Sequence, residues 1–267
     1  MSAPTPAEQA LRDGDPQQAL KLLQDQVRGA PGDAKLRVFL FQLLCVLGQW
    51  DRALNQLNVA GEMDAGALAM VQTYREAIQC ERLREQVFAG QKVPLLFGEP
   101  EPWVALLIEA LLREGQGDAA AARKLRDQAF EQAPATPGQA DGQAFEWLAD
   151  ADMRLGPVLE AIVNGKYYWV PMNRLSVVTI EAPEDLRDRV WMPAHLQFAN
   201  GGEVVALLPT RYPGTSLADP LLALARKTDW AEPQPGFYVG QGQRMFTADF
   251  GDLALMDLRS ISFGAAA

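Results

Sequence analysis

Histidine is almost missing from this chain: His195 is the only one in 267 residues. An imidazole is the usual base of Ser-His-Asp and Cys-His systems, so any such arrangement would have to be built around that side chain. Cysteine is nearly as scarce. Cys45 and Cys80 are the two in the chain, each inside a helix-like pattern and neither with a Cys or His neighbour at ligand spacing. That spacing excludes a zinc site and a disulfide scaffold and leaves buried free thiols. Basic charge is also short, with 24 Lys and Arg against 34 Asp and Glu for a formal net charge of -10, and neither half is basic. Nucleic-acid binding by counterion release needs clustered Lys and Arg, so that class of partner is set aside. No stretch reaches the ~18 uninterrupted apolar residues that span a bilayer. The start, MSAPTPAEQALRDGD, has no basic segment followed by an apolar run. Together these absences read as a soluble, cytoplasmic protein with no membrane segment.

What is present is apolar material, 48% of the residues, enough in a chain of this length for two ordinary domains. The first half reads as helix after helix, and it repeats. In GDPQQALKLL and GQWDRALNQL, Gly14 aligns with Gly48, Ala19 with Ala53, Leu20 with Leu54 and Leu23 with Leu57, an offset of 34 residues throughout. That is the period of a tetratricopeptide repeat, whose two antiparallel helices meet at a Gly-containing turn and approach closely over a small Ala. Pro31 closes the first unit. A degenerate further copy runs from 99 to 134, with Trp103, Leu106, Leu107, Ala110 and Leu111 on one helix face, Gly117 at the turn, Ala122 and Ala129 at small-residue positions and Pro134 at the end. Between the copies, Asp64 is read as the N-cap of a helix through Val71, Tyr74 and Ile78 towards Gly90. No strand is expected before residue 130.

The stretch APATPGQADGQ, 133 to 143, marks the domain boundary, placing a helical domain at 1–140 and a second domain at 141–267. Beyond it KYYWVP, RLSVVTI, RVWMPAHLQF and EVVALLP are short runs rich in Val, Ile and aromatics, and ANGGE is a hairpin turn between two of them. SLADPLLALARKTDW is expected to be a helix starting near Asp219, with Pro220 in its first turn. The fold class is therefore α+β in two domains: a tetratricopeptide-like helical array, then a mostly antiparallel α+β domain.

Several residues are candidates for chemistry or recognition. Tyr167 and Trp169 share one strand face while Tyr168 takes the other, which gives core packing for one face and leaves an aromatic docking role open for the exposed remainder. Glu146 and Asp150 are four apart on an expected helix, with Asp152 close by. Paired carboxylates there would serve as acid and base or hold a divalent ion, or else cap and pair with Arg154 and other arginines. GQGQR lacks the Lys with Ser or Thr, and the following helix, that a phosphate loop needs, and reads as a turn with glycine at positive φ. TRYPG is a second turn, with Arg211 available for a carboxylate. His195 alternates with apolar neighbours and reads as a packed or edge strand residue.

The motif series WLADADMRLGPVLEAIVNGKYYWVP, PEDLRDRVWMPA, NGGEVVALLPTRYPG, KTDW, GQGQRMF and DLALMDLRSI resembles the ImpE/TagJ family of type VI secretion accessory proteins. The resemblance covers the whole chain, since that family also sets a tetratricopeptide-like half before an α+β half. It implies a non-enzymatic adaptor without metal or cofactor. The implied partners are the small sheath subunit, TssB, met through its N-terminal helix, and ClpV, the AAA+ ATPase that recycles contracted sheath. The expected contact residues are Tyr167, Trp169, Trp191, Arg211 and Tyr212. Two other readings stand beside it: a hydrolase using Glu146, Asp150 and Asp152 with a substrate-recruiting helical half, and a structural subunit of an oligomer.

Overall fold

A computed structural model describes residues 3–264. The helices of the first half are α1 Pro6–Arg12, α2 Pro16–Gly29, α3 Ala34–Val46, α4 Trp50–Met63, α5 Leu68–Phe88, α6 Pro102–Gly115 and α7 Ala119–Gln132. Their starts are written locally: Thr5 and Glu8 form a capping box on α1, and Asp15, Asp33 and Asp118 accept backbone N–H groups at the starts of α2, α3 and α7. Gly14, Gly48 and Gly117 take φ of 82°, 64° and 81° at the turns within the helix pairs, a conformation that side chains with a Cβ resist. Asp64 caps a short 3-10 turn, Ala65–Ala67, in place of α5 itself.

Ala19, Ala53, Ala122 and Ala129 are fully buried between the paired helices. Replacing Ala53 by Leu forces extra methylenes into the α3/α4 contact and should cost about 1–3 kcal/mol. An unfolding midpoint unchanged from wild type would show that the contact has room to spare.

The helical half is not free of strands. β1 Leu95–Leu96 pairs in parallel with a strand of the second half, so the expectation of none before residue 130 fails. A two-residue strand carries no alternation to read and owes its existence to its partner. Next come β2 Gly138–Ala140, β3 Gln143–Phe145, β4 Leu148–Asp150, β5 Val158–Val163, β6 Lys166–Pro171, β7 Leu175–Ile180, β8 Trp191–Phe198 and β9 Glu203–Pro209. The chain closes with α8 Pro220–Ala223, β10 Thr228–Gln234, β11 Phe237–Gly242, β12 Met245–Ala248, β13 Gly251–Ala254 and β14 Ser260–Phe263. Nine strands form one sheet in the order β1-β6-β5-β9-β8-β7-β14-β2-β3, antiparallel everywhere except at β1. β13-β12-β4 and β10-β11 make two smaller sheets. β2 already belongs to the large sheet ahead of the expected boundary at 140/141.

Asn164 and Gly165, both at positive φ, turn β5 into β6, as the right-handed twist of a tight hairpin requires. Other local expectations give way to packing. The helix expected over 216–230 is only Pro220–Ala223: Ala225 turns to a positive φ of 49°, outside helical geometry, and the chain beyond it is taken up as β10 against β11. Asp219 does cap it, accepting from the N–H of Leu221 at 2.8 Å. Glu146 and Asp150 lie in a bend and a strand, not on a helix.

The large sheet packs on both faces. On one, Val158, Ile162, Tyr167, Trp169, Trp191 and Leu207 join the core of the helices; on the other, Leu159, Ala161, Val170, Met192, Ala194 and Leu208 pack with Phe246, Leu255 and Met256. The two halves thus share a continuous apolar core. Among the described residues no helix is long and apolar enough to cross a membrane.

Candidate functional site: a buried ionic clasp and the groove beside it

Glu160 sits fully buried in the middle of β5, where an unpaired carboxylate would be very costly. Arg84, projecting from α5 in the helical half, meets it with a two-pronged contact, Nε to Oε1 at 2.6 Å and Nη2 to Oε2 at 3.0 Å. The same guanidinium donates to the carbonyl of Arg211 at 2.8 Å and to Glu81 at 3.3 Å. Arg244 joins Glu160 to Asp150 and donates through Nε to the Pro209 carbonyl at 2.9 Å. Tyr167 donates to Glu160 and accepts from Trp169 Nε1 at 2.8 Å, while Trp191 Nε1 donates to Glu81 at 3.0 Å. Arg154 holds Asp152 through Nε at 2.9 Å and Nη2 at 2.6 Å. Arg211 reaches back across the interface to the last turn of α3, donating to the carbonyls of Val46 at 2.6 Å and Cys45 at 3.3 Å. The last carbonyls of a helix lack the usual i+4 donors, although that of Cys45 also accepts from the Gly48 N–H at 3.0 Å, and a cation at that end is favoured by the helix dipole.

Glu81, Asp150, Asp152 and Glu160 are thereby paired with Arg84, Arg244 and Arg154, while Arg211 adds a further buried positive charge held by backbone carbonyls. Burial by itself would raise the Glu160 carboxyl, yet Arg84 and Arg244 pull it down to about 2. Burial pushes Asp150 up to about 7 against the opposing pull of Arg244. Burial lowers Arg211 to about 10, although Glu81 favours its charged form.

Beside the clasp, the 184–189 segment meets the helices through its own contacts. Asp188 accepts the backbone N–H groups of Glu184 at 2.8 Å and Asp185 at 2.7 Å, and the Arg187 guanidinium stacks 4.7 Å over the Tyr74 ring of α5. A cavity of ≈ 530 Å³ opens where this segment faces the helical array. Its walls come from α2 at Gln26, from α3 at Leu36, Phe39 and Gln42, from the end of α4 at Ala60, and from Leu186 of the α+β half. Glu8, Lys35, Asp64, Glu184 and Asp185 stand among its lining residues.

Residues 142–262 match the family model described as ImpE protein, and residues 10–77 match one described as a tetratricopeptide repeat. Over 258 residues, 96% of this chain and 90% of the relative, the sequence is 55% identical to the type VI secretion system accessory component TagJ of Pseudomonas aeruginosa. The chain belongs to the ImpE/TagJ family. Its fold is also that of protein VPA1032 from Vibrio parahaemolyticus, whose crystal structure matches with a TM-score of 0.90 at 26% identity, covering 98% of each chain.

In this ImpE/TagJ-family structure the aromatic and arginine residues singled out from the sequence are inside. Tyr167, Trp169 and Trp191 are 0% exposed, Tyr212 2% and Arg211 6%, so none of them presents a free surface to a partner. The physical reason is the shared core: the sheet face carrying Tyr167, Trp169 and Trp191 is the one the helices cover. Arg211 donates to helix carbonyls and not to a carboxylate. Asp150 and Asp152 are buried and held by Arg244 and Arg154, as the ion-pairing alternative required, whereas Glu146 is exposed with its N–H on Asp249. His195 lies on β8 with Nε2 4.0 Å from Glu203. Gly242 does take a positive φ of 81°, but GQG belongs to β11, and a Cβ on Gly240 would stand 2.2 Å from the Tyr212 ring. Cys45 and Cys80 are buried free thiols. Among the described residues no group of three or more His, Cys, Asp or Glu is placed to hold a metal ion.

Glu81, Arg84, Glu160 and Arg244 were not found by sequence reasoning. A signal exists for two of them. Glu160 interrupts the apolar run VLEAIV, and Arg84 falls on the face of α5 that carries Tyr74, Ala77 and Val87. A charge at a position that periodicity assigns to the interior demands an interior partner.

Proposed function

We propose that this chain is an accessory adaptor of the type VI secretion system that holds the N-terminal helix of the small sheath subunit, TssB, and assists sheath recycling by the ATPase ClpV. The observation that carries the reading is the open groove between a tetratricopeptide-type helical array and the α+β half. Stacked helix pairs present such concave surfaces to partner segments. The 55% identity to a protein named as an accessory component of that system supports the same assignment. Recognition of this kind needs neither nucleotide nor metal. The test is a pull-down of TssB and of ClpV, separately, on the intact immobilised chain in nucleotide-free buffer containing chelator. TssB should be retained, and a TssB lacking its N-terminal helix should not. Retention of neither protein overturns the adaptor reading.

A further inference from the structure

The groove carries more chemical information than its openness. Its apolar floor is Leu36 and Phe39 of α3, Ala60 of α4 and Leu186 of the opposite half, all partly or fully buried. Around that floor the charges are lopsided: Glu8, Asp64, Glu184 and Asp185 are exposed acids, Asp185 already paired with Arg187, against Lys35 alone among the lining residues. Gln26 adds a side-chain oxygen in the same wall that is buried and meets no donor among the described residues. The walls are helices and a short 3-10 turn, Leu186–Arg189. Their backbone groups are largely spent on helical hydrogen bonds, so an extended peptide laid here would find no strand edge to pair with. A helix, which satisfies its own backbone, meets no such penalty.

We infer that this composite groove is the docking site for a partner helix with an apolar stripe bordered by Lys or Arg, and that the α+β half supplies one wall of it. The inference rests on the adaptor reading for the partner's identity, but not for the site or its chemistry. Apolar anchors at i, i+3, i+4 and i+7 would lie on Leu36, Phe39 and Leu186, and the basic borders would face Glu184 and Asp64. It moves recognition away from Tyr167, Trp169, Trp191, Arg211 and Tyr212. Those residues belong to the interior between the sheet and the helices.

The experiment uses the intact chain and three synthetic helical peptides followed by titration calorimetry. The first has Leu at i, i+3, i+4 and i+7 with Lys at the flanking positions, the second has Glu at the same flanks, and the third has the Leu order scrambled. The Lys-flanked peptide should bind at least about tenfold more tightly than either of the others, about 1.4 kcal/mol or more. Glu184→Lys, an exposed change that should leave the unfolding midpoint alone, should weaken the Lys-flanked peptide several-fold and improve the Glu-flanked one. Phe39→Asp should remove binding, with circular dichroism as the check on its fold. Equal binding of the Lys- and Glu-flanked peptides, no binding of the Lys-flanked peptide, or indifference to Glu184→Lys overturns the inference. The adaptor reading fails separately: TssB retained equally by wild type and Glu184→Lys sinks the groove assignment alone, and peptide binding without TssB retention sinks the adaptor assignment alone.

Discussion

Arg84→Ala should be the most damaging single change in the protein, costing about 3–5 kcal/mol. The change leaves Glu160 with Arg244 as its one remaining cation, removes the donor that joins α5 to the Arg211 carbonyl, and strips Glu81 of its ion pair. All of this happens where side chains are 4% exposed or less at Arg84 and Glu160, so water cannot replace what is lost. Arg84→Lys should recover only part of the stability, because a single ammonium cannot reproduce the two-pronged contact with Glu160. Denaturant titration gives the magnitude, and a fall in melting temperature of about 6–20 °C is expected for a chain of this size. Since both halves contribute to one core, the wild-type transition should be single; a loss below about 1 kcal/mol for Arg84→Ala would mean that the clasp is solvated and that the halves are joined by apolar packing alone.

The same clasp sets an acid limit. Arg84 and Arg244 hold Glu160 at about 2, below the ordinary glutamate value of 4.5, in spite of burial. A carboxyl depressed in the folded state contributes stability that is complete above its unfolded pKa and is lost as pH falls from there through the folded value. The window is therefore about pH 4.5 down to 2, and the loss across it should be about 3 kcal/mol. Arg84→Ala should flatten this part of the profile. Asp150 works with the opposite sign: raised from 3.8 to about 7, its contribution is present at low pH and declines as pH rises through that range.

Trp191→Ala is the second large effect, at about 3–5 kcal/mol. The indole is fully buried, lies 5.7 Å from the Tyr74 ring and 6.0 Å from the Trp50 ring, and donates to Glu81 at 3.0 Å. Truncation opens a cavity at the seam between sheet and helices and leaves a buried carboxylate short of a donor. Trp191→Phe separates the two contributions, since it keeps most of the packing and loses only the hydrogen bond, for about 1–3 kcal/mol. If Phe cost as much as Ala, the hydrogen bond and not the packing would dominate. A loss under 1 kcal/mol for Ala would show that the seam collapses onto the gap.

Much of this architecture is legible in the residues. Gly14, Gly48 and Gly117 mark turns because positive φ is a local demand, and Ala19, Ala53, Ala122 and Ala129 mark close helix contacts because only a small side chain fits there. The alternation of Tyr167, Tyr168 and Trp169 along β6 is likewise a local property of extended backbone. Where the readings fail, a distant contact outweighs a local preference. β1 exists because β6 offers it an edge, the helix after Asp219 stops at the positive φ of Ala225 and gives way to β10 pairing with β11, and the segment bearing Glu146 and Asp150 is drawn into strands by β2 and β12.

The sequence by itself determined the helix-pair array, the mostly antiparallel second half and the family, since caps, turns, periodicity and motif order are carried by residues close together in the chain. Only the tertiary structure decided that Tyr167, Trp169, Trp191, Arg211 and Tyr212 are interior, that Arg84 meets Glu160 across 76 positions of sequence, and that Leu186 completes a groove begun by α3. Which face of an amphipathic strand or helix meets solvent depends on what another segment brings to it. That is a property of the folded whole, fixed by burial of area and pairing of charge between residues that no local pattern connects.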